Sequence, residues 1–276
     1  MKFIIILLSA FVLLVPANIH AVSSMVQPYR LVDGQTAGVL PRGYFNAGID
    51  VYAARGGYGS GLLFGTHVGL TNRLTLGLTY GGEGLIGYSK NVRWNHYPGM
   101  AVKYRLFEEK FLTPALTLGF DNQGHGGPVS AGEFGYDGYL YKSPGLFVAV
   151  SKNYLMLKVI QIGFHGTANY SFEEVDGVAW PNVLGGIDIG LNDELMFVVE
   201  YDFALDDVTG RGKTAYGLPW YGFLNMGLRW AFTPNFHIQF DVRDILENKT
   251  RVHPLTGERT PTGWNRALKI MYISKF

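Results

Sequence analysis

The side chains best able to do chemistry in this sequence are its histidines, and they are scattered. His67, His96, His125, His165, His237 and His253 show no H-x-x-x-H or H-E-x-x-H spacing, the pattern that turns two imidazoles toward one metal. Asp206 and Asp207 adjoin, but they read as the polar start of a loop. Gly82-Glu83-Gly84-Leu85-Ile86-Gly87 fits G-x-G-x-x-G without a following helix on which a pyrophosphate could sit, so it is a coincidence of glycines. The chain has no cysteine, which removes thiolate metal sites, disulfides and a cysteine nucleophile. His165 and Thr167 are the one histidine–hydroxyl pair in an i, i+2 relation on a strand face, and nothing else accompanies them. No catalytic, cofactor-binding or metal-binding set is expected, and no enzymatic activity.

What remains are polar residues at alternate positions, and the elements that carry them explain the spacing. Leu195, Phe197, Val199 and Tyr201 interleave with Met196, Val198, Glu200 and Asp202; Phe236, Ile238, Phe240 and Val242 interleave with His237, Gln239, Asp241 and Arg243. A period of two puts one set on each face of a strand. Such runs predict about twelve strands, at 44–54, 61–70, 74–80, 98–107, 112–122, 139–151, 155–170, 181–191, 194–205, 220–232, 236–246 and 265–276. Tight polar links at Thr71-Asn72-Arg73, Glu108-Glu109-Lys110, Lys152-Asn153-Tyr154, Asn192-Asp193 and Thr233-Pro234-Asn235 alternate with longer glycine-rich ones. Aromatic residues gather at both sets of strand ends: Phe107, Phe111, Tyr154, Trp230, Phe232 and Phe236 beside the tight links, and Tyr80, Tyr139, Tyr170, Trp180, Trp220 and Trp264 beside the long ones.

Composition restricts the class further. Charged residues make up 16%, glycine counts 37, and 47% of residues are apolar, which excludes disorder. Lys2, the apolar run Phe3 to Val15 and the exit Ile19-His20-Ala21 have the order of a secretory signal, so 1–21 is expected to be a removable leader. Loss of Lys2 with it leaves 22 basic and 22 acidic residues, a balance that argues against a nucleic-acid partner. The expected organisation is a leader at 1–21, a periplasmic lead-in or plug at 22–43, and a closed antiparallel up-and-down transmembrane β-barrel over 44–276 in a bacterial outer membrane. A secreted sandwich or lipocalin-like barrel, with the apolar face turned inward, is the soluble alternative.

The final segment resembles the C-terminal aromatic signal by which bacterial outer-membrane barrels are recognised for assembly. Leu268, Ile270, Tyr272 and Phe276 carry the likeness, and Ser274 departs from it, since an apolar residue is usual there. The resemblance implies a barrel-assembly machinery, membrane lipid and lipopolysaccharide as partners. Thr36-Ala37-Gly38-Val39-Leu40-Pro41-Arg42-Gly43 resembles the segment before the first strand of YjbH-type barrels associated with exopolysaccharide export, which implies polysaccharide-export components as partners. Twelve-stranded outer-membrane phospholipases carry a His-x-Ser-Asn-Gly run, which is absent here.

If the apolar face meets lipid, the lumen is lined by Asp50, His67, Lys103, Arg105, Asp121, Gln161, His165, Asp188, Glu200, Asp202, Asn225, Arg229, Asp241, Arg243 and Lys269. Opposite charges are expected to pair across the wall, Lys103 and Arg105 with Asp121, Glu200 and Asp202 with Arg229, and Lys269 with Asp50. Mixed signs argue against a strongly ion-selective pore. The expected function is passive passage or export of small polar solutes or saccharides by a monomer; a non-conducting structural or assembly component of a cell-surface polysaccharide system is the alternative, with an outer-membrane hydrolase behind both.

Overall fold

A computed structural model describes residues 28–54, 60–86, 91–129, 138–156, 160–173, 180–207, 222–252 and 259–276. Twelve antiparallel strands form the wall: β1 (Tyr44–Ala54), β2 (Gly61–Gly69), β3 (Leu74–Glu83), β4 (Gly99–Phe107), β5 (Ala115–Asp121), β6 (Gly145–Met156), β7 (Ile160–Tyr170), β8 (Asn182–Gly190), β9 (Leu195–Asp202), β10 (Phe223–Ala231), β11 (Phe236–Arg243) and β12 (Asn265–Lys275). Each pairs with its sequence neighbours, and β12 closes on β1 from Tyr44 opposite Lys275 to Ala54 opposite Asn265. Closure leaves no edge, the condition for a sheet to sit in hydrocarbon without unpaired N–H and C=O groups.

The faces are inverted relative to a water-soluble domain. Leu78 is 54% exposed and Phe240 57%, with Phe64, Met100, Val102, Leu118 and Leu146 in the same outer surface, whereas Lys103, Asp121, Glu200, Asp241 and Arg243 are buried inside. Leu195, Phe197 and Val199 alternate with buried Met196, Val198 and Glu200. The largest apolar clusters among the described buried residues have only four members each, so the described residues form no oil-filled core of the kind the soluble alternative needs. Among the described residues no helix is long and apolar enough to cross a membrane, which leaves strand crossing untouched.

Local chemistry closes the tight links. Thr71 Oγ1 accepts from the amides of Arg73 and Leu74 at 3.1 and 3.0 Å, and Asn192 Oδ1 accepts from Glu194 and Leu195 at 2.9 and 2.7 Å. The expected reversal at Lys152-Asn153-Tyr154 does not occur: β6 runs through it, with Lys152 opposite Phe164 and Asn153 opposite Gly163. Its turn-like polarity serves the neighbouring link instead, since Asn153 donates twice to Glu109, at 2.9 and 2.7 Å, and Lys152 pairs with the same carboxylate at 3.2 Å. The strand expected at 139–151 is divided for a related reason. Residues 138–141 pair with 125–129 in a separate hairpin, and β6 begins only at Gly145, whose φ of +65° and close approach to the Tyr170 carbonyl suit a residue without a Cβ. Tyr139 therefore sits on that hairpin rather than in an outer ring of aromatics. β3 extends past the expected end at 80 to Glu83, and its outer end pairs with Arg93–Trp94.

On β12, Leu268, Ile270 and Tyr272 alternate with the inward-facing Lys269 and Met271, and Tyr272 and Phe276 pack their rings against Phe45 at centroid distances of 6.0 and 6.4 Å. The expected leader and Trp220 lie outside the described residues.

Candidate functional site

The lumen is filled by the chain's own lead-in. From Gly43 at the turn end of β1, residues 42 to 28 run up inside the barrel, reverse, and return. The Leu31 amide donates to the Gly34 carbonyl at 2.9 Å, and Arg30 bridges to Gln35. Small residues at Gly34, Ala37 and Gly38 keep this hairpin thin, and residues 31–32 and 34–40 are buried. It has no ladder of its own beyond that bridge, so its backbone groups must be satisfied by the wall.

The polar face of nearly every strand does so. Thr75 of β3 accepts from the Leu40 amide at 2.9 Å, Thr117 of β5 donates to the Ala37 carbonyl at 2.9 Å, and Thr167 of β7 donates to the Gln35 carbonyl. Glu200 of β9 collects the amides of Val32, Asp33 and Gly34 at 3.2, 3.1 and 2.7 Å, three successive N–H groups converging on one carboxylate. Lys103 of β4, 1% exposed, reverses that polarity: its ammonium donates to the carbonyls of Tyr29, Thr36 and Gly38 at 2.5, 3.2 and 3.5 Å and lies 3.7 Å from the Tyr29 ring centroid. Lys269 donates to the Val32 carbonyl at 2.8 Å and Arg229 to the Arg30 carbonyl at 3.0 Å.

Hence the expected cross-wall ion pairs give way, most of them to pairs with the inserted hairpin. Asp121 takes Arg30 at 2.6 Å and Gln35 at 2.9 Å rather than Lys103 or Arg105, and Arg105 donates to the Ala37 carbonyl at 3.4 Å. Arg243 takes Asp33 at 2.9 Å. Glu200 stands opposite Asn225 in register and Arg229 opposite Met196, so those two charges never meet. Asp202 sits at the loop end with Asn182 and the Ala204 amide. Lys269 stands opposite Asp50 but pairs with Asp241 at 2.7 Å. The His67 ring lies 4.6 Å from that of Tyr29, and Gln161 is buried in β7.

One constellation was not legible from spacing. Ser151 Oγ lies 2.8 Å from His165 Nδ1, and His165 Nε2 lies 2.5 Å from Asp188 Oδ1, across β6, β7 and β8. That is the order of groups by which a base activates a hydroxyl. Here the Ser151 oxygen accepts from the Ala37 amide at 2.8 Å and the residue is 1% exposed, so the relay fixes the hydroxyl as an acceptor for the inserted hairpin and leaves no approach for a reacting atom. Thr75, Thr117, Ser151 and Thr167 all occupy the polar parity of their strands; Thr167 stands out only beside His165, and lack of charge hides the other three.

The loop end is capped. His125 lies 3.6 Å from Asp50, and its ring is tilted against that of Tyr52 at a centroid distance of 5.0 Å. Lys249 is buried against Asp207 and lies 5.6 Å from the ring centroids of both Tyr141 and Phe223. Burial pushes the Asp206 carboxyl up to about 6, with Lys142 opposing, and the Asp244 carboxyl up to about 7, against the amides of Lys249 and Asn248. Among the described residues no cluster of three or more His, Asp or Glu is placed to hold a metal. Toward the turn end the hairpin leaves a hollow of about 620 Å³.

No protein-family model matches the chain, and no curated protein matches it. Solved structures to which it is similar include the KdgM porin (9% identity, 83% of this chain and 98% of that chain, TM-score 0.46). An outer membrane channel from Pseudomonas putida F1 is similar at 10% identity over 86% and 97% of the two chains, TM-score 0.43. The Acinetobacter baumannii outer membrane protein Omp33 is similar at 8% over 84% and 97%, TM-score 0.39.

Proposed function

We propose that this chain is an outer-membrane barrel for the passage or export of small polar solutes or saccharides, held shut by residues 28–42. The outer-membrane reading is supported by an unbroken ladder with an apolar outer face, which bare water would penalise and lipid would not. The turn end then faces the periplasm, and the loop end faces outward.

The observation that carries the passage reading is the character of the wall behind the hairpin. A barrel closed permanently needs only side chains that fill it. This one carries polar groups that suit water as well as they suit the hairpin, from Thr75 on β3 to Lys269 on β12. Withdrawal of the hairpin would leave an aqueous bore lined with charges of both signs, which favours neutral or zwitterionic solutes over ions of one sign. The barrel acts as a monomer, without cofactor, after export and assembly in lipid and lipopolysaccharide.

The number of contacts on the hairpin favours a second reading, a non-conducting component of a cell-surface polysaccharide system with polysaccharide-export partners. Planar-bilayer recording separates the two. Glu200→Ala combined with Lys103→Met is expected to convert rare openings into frequent ones, and removal of residues 28–38 to give a steady conductance. A folded barrel that stays silent without residues 28–38 would overturn the passage reading, and silence together with genetic or physical linkage to polysaccharide machinery would favour the second.

A further inference from the structure

The hollow at the turn end has a cause in strand register. Arg229, Gln239, Lys269, Asp50 and Leu63 face one another in succession across β10, β11, β12, β1 and β2, forming one inward row. The next inward row toward the turns reads Ala231, His237, Met271, Gly48, Gly65 and Thr79. Where the second row loses its side chains, at Gly48 and Gly65, the wall is bare and the space stays open. A Cβ built on Gly65 would meet Thr79 at 3.3 Å and the Leu78 carbonyl at 3.9 Å, and one on Gly48 the Ile270 carbonyl at 3.0 Å. Leu31 and Leu40 of the hairpin, with Met196 and Ile273, give the space an apolar flank.

The charges along its floor are unevenly neutralised. Lys269 is held by Asp241 at 2.7 Å, and Arg30 by Asp121 at 2.6 Å. Arg229 donates to the Gln239 side chain at 2.7 Å and to a carbonyl at 3.0 Å, and forms no ion pair among the described residues. Three strands away, Asp50 has His125 at 3.6 Å from one oxygen and no hydrogen-bond partner at the other; Asn46 Oδ1 and the Tyr29 hydroxyl, on neighbouring lining residues, also lack one. A buried acceptor left without a donor is unfavourable, so the Asp50 side of the hollow calls for donors, while the Arg229 guanidinium, acted on by Asp241 and Asp188 at a distance and in no ion pair among the described residues, can take a further acceptor.

We infer that the hollow is a binding site for a small zwitterion with an ammonium group at the Asp50–Asn46 side, a carboxylate at Arg229 and a modest apolar body between them, such as a short peptide. The site's volume falls within the roughly 300–1,000 Å³ of small-molecule pockets. Three strand spacings of about 4.8 Å put the two ends of the row roughly 14 Å apart along the wall. Three extended residues cover about 10 Å, and the inward reach of Arg229 and Asp50 takes up the difference. The inference rests on the passage reading only for its biological sense, because the ligand reaches the hollow from the turn end with the hairpin in place.

Calorimetric titration of the detergent-solubilised wild-type barrel with trialanine tests it, with N-acetyl-trialanine, trialanine amide and glucose as comparisons. Trialanine is expected to bind, each blocked peptide at least about tenfold more weakly, and glucose not at all. Asp50→Asn should erase the preference for the free amine, Arg229→Gln the preference for the free carboxylate, and Gly65→Leu should fill the space and abolish binding, with folding checked by heat-shifted gel mobility. Equal binding of free and blocked peptides, preference for glucose, absence of trialanine binding, or unchanged binding in Gly65→Leu would each overturn the site. Conductance is not part of this readout. Absent binding with intact conduction sinks the site alone, and intact binding in a barrel that never conducts sinks the passage reading alone.

Discussion

The barrel wall and the hairpin inside it are made from the same chain, yet they are held by different means. The wall is a closed circuit of backbone ladders, in which each strand is hydrogen-bonded to two neighbours. The hairpin has one bridge of its own and depends on individual wall side chains, Glu200, Lys103, Thr117 and Ser151 among them. A ladder fails cooperatively, whereas a set of separate contacts can be released piecemeal. That difference lets one region move while the other stays intact.

Wall and hairpin are independent only if one can loosen without the other, and Glu200→Ala should have the largest effect on the hairpin. Three buried amides lose their acceptor, at about 1 kcal/mol or more each. Loss of about 3 kcal/mol corresponds to roughly two orders of magnitude faster amide exchange at Val32, Asp33 and Gly34. Exchange in β9 and the heat-shifted mobility of the barrel should not change; if the wall melts with the hairpin, the two are one unit.

A second test uses pH and acts on the loop-end cap alone. The folded-state carboxyls of Asp206 and Asp244 lie above their ordinary value of 3.8, at about 6 and about 7. Their contribution to holding the cap is therefore complete below about pH 4 and is lost as pH rises through 6 to 7. Asp207, Lys142, Lys249 and Glu247 are the charged groups that act on them. Exchange at Asn248 and Lys249 should quicken between pH 4 and 7 after correction for intrinsic rates, while Val32 to Gly34 keep theirs. Parallel changes at both places would show that cap and hairpin open together.

The smallest effect is expected from Ser151→Ala. It removes one acceptor from the Ala37 amide and costs about 1 kcal/mol. His165 loses a partner but keeps Asp188. Exchange at Ala37 should rise by about fivefold to tenfold with residues 32 to 34 little affected, and a rise spread over the whole hairpin would make it a rigid body rather than a string of separate contacts.

The outer wall was legible because its signal is local. A strand two-faced by period shows its parity within six or seven residues, and links such as Asn192-Asp193 announce themselves by a side chain that caps its own turn. The same local reading misplaced Lys152-Asn153-Tyr154, whose polarity answers Glu109 rather than a reversal. Among lumen residues, parity located the inward positions but not their partners, and uncharged Ser151 and Thr117 drew no notice.

Alternate residues facing apart, the dozen strand segments and the face that suits hydrocarbon can all be read along the chain, because each depends on residues close together in it. The filling of the bore by residues 28–42, the meeting of Glu200 with three amides more than 160 positions earlier, and the relay of Ser151, His165 and Asp188 exist only in the folded barrel. Those contacts arise when closure of the barrel brings twelve polar faces around one axis, and no pattern along the chain encodes which groups meet there.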